Sequence, residues 1–126
     1  MTIFDEPPKP RKDIFNPSQS VKKKSQRQEK RLAKQLSGNV VPASGALPGF
    51  KGDVSTGSFL IEAKRTDKQS ISIQREWLTK ISLEASQAGK NPAVAVQIGK
   101  PQGCLAGDCE WIMVPVEVFK RLTEKD

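Results

Sequence analysis

Asp53, Glu62 and Lys64 are the side chains in this sequence whose types and spacing could do chemistry. Lys51 to Val54 and Phe59 to Lys64 read as two strands of a hairpin, with Ser55-Thr56-Gly57-Ser58 as its turn. Side chains alternate between the faces of a strand, so Glu62 and Lys64 share one face while Phe59, Ile61 and Ala63 take the other. A turn symmetric about Thr56-Gly57 pairs Asp53 with Leu60 and makes Asp53 a diagonal neighbour of Glu62. Such neighbours have Cα atoms roughly 7–8 Å apart. Two carboxylates reaching across that gap can hold one divalent cation, with the Lys64 ammonium beside them. Hard oxygen ligands suit Mg²⁺, which also binds phosphate. A cation so placed lowers the pKa of a bound water and offsets charge on a phosphodiester under attack. The lysine can position that water or offset the developing charge. An odd-length turn would break the register, and an ordinary charged surface hairpin would carry the same three residues.

The composition agrees with chemistry of that kind. The chain has no histidine and no tyrosine. That excludes a Ser-His-Asp triad, a Cys-His dyad, an imidazole base, a His-ligated metal and a tyrosine nucleophile. Lys and Arg total 21 against 14 Asp and Glu, a net charge of +7 with a pI near 9.6. A small basic chain points to a polyanionic partner, most often nucleic acid. Residues 1–50 carry ten Lys/Arg against four Asp/Glu, and residues 51–126 carry eleven against ten, so the basic character belongs to the N-terminal part. Cys104 and Cys109 offer half a zinc site with nothing to complete it. Two free thiols in a reducing compartment are expected instead. No apolar run approaches the roughly 18 residues of a membrane span. The opening residues lack the pattern of a signal peptide, so a cytoplasmic location without membrane contact is expected.

The elements that must position these residues follow from periodicity. A chain of 126 residues suits one domain. Residues 1–20, with four prolines and no period, read as a flexible basic arm; residues 21–126 form the domain. Residues 21–37 read as a helix with Leu32, Ala33 and Leu36 as its stripe and Gly38 as a left-handed stop. Glu29, its lone acid, precedes those apolar residues by three, four and seven positions, which puts it on or beside the buried face. On the helix alone it could equally pair with a neighbouring Lys or Arg. The small-residue stretch 39–50 begins with a short strand and leads into the hairpin. Residues 71–88 form a second helix with Ile73, Trp77, Leu78, Ile81 and Ala85 as its stripe, closed by Gly89. Ala93 to Ile98 is a near-continuous apolar strand, hence central. Trp111 to Val114 is another strand. Pro115 opens a last helix with Val118, Phe119 and Leu122 facing inward. The order is α-β-β-β-α-β-β-α.

Gly52-Asp53, eight residues, then Glu62-Ala63-Lys64 resembles the signature of the PD-(D/E)xK nucleases. Ser44-Gly45-Ala46 before Lys51-Gly52-Asp53-Val54, then Ile61-Glu62-Ala63-Lys64, and a first helix bearing Glu29, are similar to the Holliday-junction resolvases of archaea and phages. The likeness covers roughly residues 25–100. Gly52 stands where the family has proline. The resemblance implies a restriction-endonuclease-like α/β fold, a mixed sheet flanked by helices with the active site at one edge. It implies Asp53, Glu62, the carbonyl of Ala63 and Glu29 as ligands of Mg²⁺, with Mn²⁺ able to substitute. Lys64 would orient or activate the attacking water, Ser44 would contact the scissile phosphate or the metal-bound water, and Gln74 would lie near the site. Lys22, Lys23, Lys24, Arg27, Arg31 and Lys34, with Lys51, Arg65 and Lys68, would then follow DNA phosphates outside the site. The expected function is structure-selective DNA cleavage, with branched DNA above all as substrate. A junction has two symmetric scissile strands, so a homodimer is expected. A phage-encoded protein would work in the host cytoplasm. A nicking, restriction-like or repair nuclease, or a non-enzymatic basic nucleic-acid-binding protein, are the alternatives.

Overall fold

A computed structural model of the chain describes residues 17–42, 52–100 and 109–124. Helix α1 (Pro17–Gln35) is followed by strands β1 (Asn39–Val40), β2 (Val54–Ser55) and β3 (Phe59–Thr66). Helix α2 (Arg75–Ala88), strands β4 (Asn91–Ile98) and β5 (Glu110–Met113) and helix α3 (Val116–Thr123) complete it. The element order is the one read from periodicity. The strands form one sheet in the order β1-β2-β3-β4-β5. β3 and β4 run parallel, with α2 as their crossover, and the other neighbours pair antiparallel. The fold is therefore α/β, a mixed sheet flanked by helices. Among the described residues no helix is long and apolar enough to cross a membrane.

β4 is central and buried because both of its faces are covered. Ala93 and Ala95 pack with Ile61, Val54 and the α1 residues Leu32 and Ala33. Val94 and Val96 pack on the opposite face with Leu60 and the α2 residues Ile81 and Ala85. These two apolar layers fix α1 and α2 on opposite sides of β3, the strand that carries Glu62 and Lys64.

Several expectations need correction. α1 begins at Pro17, inside the stretch read as an arm, because proline suits a first helical turn. The left-handed residue after α1 is Ser37, at φ 55°, and not Gly38. Gly38 is required for a different reason: a Cβ there would stand 2.5 Å from the Ser55 carbonyl oxygen. α2 begins only at Arg75, so Ile73 precedes it and is exposed. Gly89 closes α2 in the left-handed region, at φ 69°, as expected. In α3, Val118 is buried, but Phe119 and Leu122 are each 60% exposed rather than turned inward.

Candidate active site

The hairpin register differs from the symmetric one. Val54 stands opposite Ile61, and Ser55 opposite Leu60. The Thr56 N–H donates to the Phe59 carbonyl at 2.9 Å, and the Thr56 hydroxyl accepts the Phe59 N–H at 2.9 Å. The turn is thus Gly57-Ser58, and the pairing is displaced by two residues along β3. An even displacement leaves every side chain on its face. It brings Asp53 to the step between Ile61 and Glu62 and not to Leu60. There the Asp53 N–H donates to the Ile61 carbonyl at 2.8 Å, and Asp53 Oδ2 accepts the Ala63 N–H at 2.8 Å. The carboxylate takes the place of the next ladder acceptor and is locked to the strand bearing Glu62.

Lys64 and Glu62 share a face, as alternation requires. The Lys64 ammonium lies 3.3 Å from the Glu62 carboxylate and 4.7 Å from the centre of the Trp77 ring on α2. Glu29 arrives from the other side of the sheet. Its neighbour Gln28 is fully buried and donates through Nε2 to the Lys64 carbonyl at 2.9 Å and to Glu110 at 3.1 Å. That clamp sets α1 level with Lys64. Burial pushes the Glu29 carboxyl up to about 7, with the charges of Asp53 and Glu62 adding to the rise. Burial, then Glu62, lifts Asp53 to about 6 against the Ala63 N–H and the Lys64 and Lys80 ammoniums, which pull it down. Glu29, Asp53 and Glu62 therefore share one electrostatic field, although they come from separate elements.

Gly52 is required for a steric reason. It sits at φ +52°, where a proline ring cannot go, and a Cβ there would lie 2.7 Å from Leu60 Cγ. Its N–H donates to Glu84 Oε1 at 3.0 Å. Glu84 is a buried carboxylate of α2 that also lies 4.0 Å from the Lys80 ammonium. Sequence reasoning missed Gln28, Trp77, Lys80 and Glu84 as parts of this surrounding. The signal for two of them was present: Gln28 precedes Leu32 by four residues, and Glu84 follows Trp77 and Ile81 by seven and three. A polar residue on a buried stripe needs a partner.

The remaining candidates divide. Ser44, Lys51 and Cys104 lie outside the described residues. Gln74 caps α2 with its backbone, is exposed and makes no side-chain cap bond; no hydrogen bond among the described residues joins it to the carboxylates. Lys22, Lys23, Arg27, Lys34 and Lys68 are exposed. Lys24 and Arg65 both pair with Asp67, and Arg31 donates to Gln97 at 2.6 Å. Cys109 is disulfide-bonded, which corrects the expectation of free thiols. Among the described residues no three Cys, Asp or Glu side chains are gathered tightly enough to hold a metal ion as they stand.

No protein-family model matches the chain, and no curated protein matches it. A solved structure, that of Hjc, a Holliday junction resolvase from the archaeal hyperthermophile Archaeoglobus fulgidus, is similar at 17% identity and a TM-score of 0.48. The match covers 75% of this chain and 89% of that one.

Proposed function

We propose that this protein is a metal-dependent endonuclease that cleaves branched DNA, in the manner of a junction resolvase. The observation that carries the reading is Asp53, bound through Oδ2 to the Ala63 N–H between Glu62 and Lys64, with the Lys64 ammonium 3.3 Å from Glu62 and Glu29 of α1 near enough to feel both carboxylates. The charge of Glu62 adds to the proton affinity of Asp53, and the charges of Asp53 and Glu62 add to that of Glu29, as at a site in want of a cation. Their oxygens are the donor type that Mg²⁺ or Mn²⁺ takes. Asp53 and Glu62 would hold such a cation, joined by Glu29 and the Ala63 carbonyl. Glu29 and Glu62 have long side chains, and their rotation would close the set. A divalent cation there would supply the charge that lowers the pKa of a water and offsets charge on the phosphoryl oxygens.

The chain's own groups do the rest. Asp53 is fixed by the Ala63 N–H and cannot swing away. The Lys64 ammonium stands beside Glu62, where it can hold an attacking water or a phosphate oxygen. The Trp77 ring lies over it at 4.7 Å. The exposed Lys22, Lys23, Arg27 and Lys34 on α1, with Lys68, would follow the phosphate backbone. A substrate with two equivalent scissile strands calls for two such sites, and we infer a homodimer. The test is cleavage of a four-way junction beside a linear duplex of matched sequence, in Mg²⁺ and in EDTA. Junction cleavage in Mg²⁺ alone is expected. Equal cleavage of both substrates would favour a nicking or repair nuclease, and none of either would leave a DNA-binding protein.

A further inference from the structure

A pocket of about 340 Å³ opens beside α1, lined by Lys24, Arg27, Arg31, Arg65, Gln97 and Lys100, with Asp67 as the single acid. It is separate from the carboxylates. At 3.6 residues per turn, Glu29 lies roughly 140–160° around α1 from Lys24, Arg27 and Arg31. The contacts of Arg31 agree, since it reaches Gln97 on β4 and Glu110 on β5, whereas Glu29 feels the charges of Asp53 and Glu62 on the hairpin side. A helix with its side chains is about 10–12 Å across, close to the roughly 12 Å width of a DNA major groove.

The pocket is built rather than merely charged. Asp67 holds the Lys24 ammonium at 2.6 Å and pairs with the Arg65 guanidinium. The Arg65 side chain is only 9% exposed. The buried Gln97 carboxamide accepts from Arg31 at 2.6 Å and donates to the Gly99 carbonyl at 3.1 Å. Cations fixed in advance lose little freedom when an anion arrives. Five cations line the pocket, against Asp67 in the lining and Glu110, which pairs with Arg31, so cations outnumber these acids. Arg27 is exposed and has no ion pair among the described residues. Guanidinium forks match phosphate oxygens.

We propose that this pocket seats a non-scissile phosphate of bound DNA, gripping the backbone one helix width from the cleavage site. The identity of the polyanion rests on the nuclease reading; the site does not. The test is DNA binding in EDTA, where no cleavage occurs, by fluorescence anisotropy across a salt series. Arg27→Gln, alone and with Lys24→Gln, should weaken binding about tenfold and lower the salt slope by about 0.9 for each phosphate no longer neutralised. Lys30→Gln, an exposed lysine of α1 outside the pocket, removes the same charge and should leave the slope unchanged. Neutral methylphosphonates placed singly along each strand should reveal one phosphate whose replacement weakens the wild type and not Arg27→Gln. Its strand tells whether the grip lies along the cut strand or across the groove. Equal effects of Arg27→Gln and Lys30→Gln, or no such phosphate, would overturn the pocket while leaving the nuclease reading intact. Wild-type protein that does not bind DNA at all would sink both.

Discussion

Lys64 is held from two sides, by a carboxylate at 3.3 Å and an indole at 4.7 Å, and this fixes what its removal should do. Lys64→Ala leaves Asp53 and Glu62 in place, so DNA binding in EDTA should stay within a few fold. Single-turnover cleavage in Mg²⁺ should fall by about 10²–10³-fold or more, the scale of losing a group that meets developing charge. Asp53→Asn and Glu62→Gln keep shape and remove negative charge near phosphate. Their DNA affinity should hold or rise while cleavage collapses; normal cleavage by either would end the metal-nuclease reading. Proton linkage gives an independent check without DNA. Glu29 and Asp53 have folded pKa values near 7 and 6, above their ordinary 4.5 and 3.8. The folded state therefore binds more protons than the unfolded one between about pH 4 and 7, and stability falls as pH rises through that window. Asp67 is shifted the other way, held down first by the Lys24 hydrogen bond, and acts only below that window. Thermal melts in EDTA should show Tm declining from pH 5 to 7.5, and Glu29→Gln should flatten the decline. A flat wild-type profile would mean that the carboxylates do not share one field.

The hairpin works as an element because α2 holds its first arm. Glu84 takes the Gly52 N–H at 3.0 Å, and Gly52 occupies a conformation and a space that admit no side chain. Gly52→Ala should cost about 2–4 kcal/mol, from left-handed strain and overpacking against Leu60. Gly52→Pro should be worse, since it also removes the N–H and strands the buried Glu84 carboxylate. Urea denaturation of Gly52→Ala would check this, and an unchanged midpoint would show that the loop simply relaxes. The element order was legible in the sequence because β4 is a near-continuous apolar run and α1 and α2 carry apolar stripes. The hairpin register was not. Alternation fixes faces, and registers two residues apart give the same faces. What chooses between them is the Thr56 hydroxyl, which accepts both the Ser58 and Phe59 N–H groups and draws the turn to Gly57-Ser58. Spacing singled out Asp53, Glu62 and Lys64 as candidates, whereas helix phase left Glu29 open between an ion pair and the site, and the resemblance alone made it a ligand. Trp77 passed as an ordinary stripe residue, because periodicity says that a side chain is half-buried and not which cation it covers.

On the scale of the whole molecule, the apolar surface is as uneven as the charge. β5 ends the sheet, and its Trp111 is 62% exposed. α3 beside it buries Val118 and leaves Phe119 and Leu122 outside. Periodicity revealed that α3 has an apolar face; it could not reveal that the chain itself leaves most of that face uncovered. Next to it, Leu78, Pro92, Met113 and Pro115 line an apolar groove of about 260 Å³. Among the described residues β5 is an edge strand, and an exposed edge together with an exposed apolar helix is a surface that tends to find a partner. The homodimer inferred above would use it: one two-fold axis would cover both patches and set two carboxylate sites on one junction. Light scattering at tens of micromolar should therefore give about twice the 13.9 kDa chain mass. Phe119→Glu places a charge in the patch without touching the core, so it should give a folded monomer, with unchanged circular dichroism and a mass near 13.9 kDa. If two sites must act together, that variant should still nick one strand of a junction but lose paired cleavage of both. A wild-type protein that stays at the monomer mass, with and without junction DNA, would remove the resolvase reading and leave a nuclease that cuts one strand at a time.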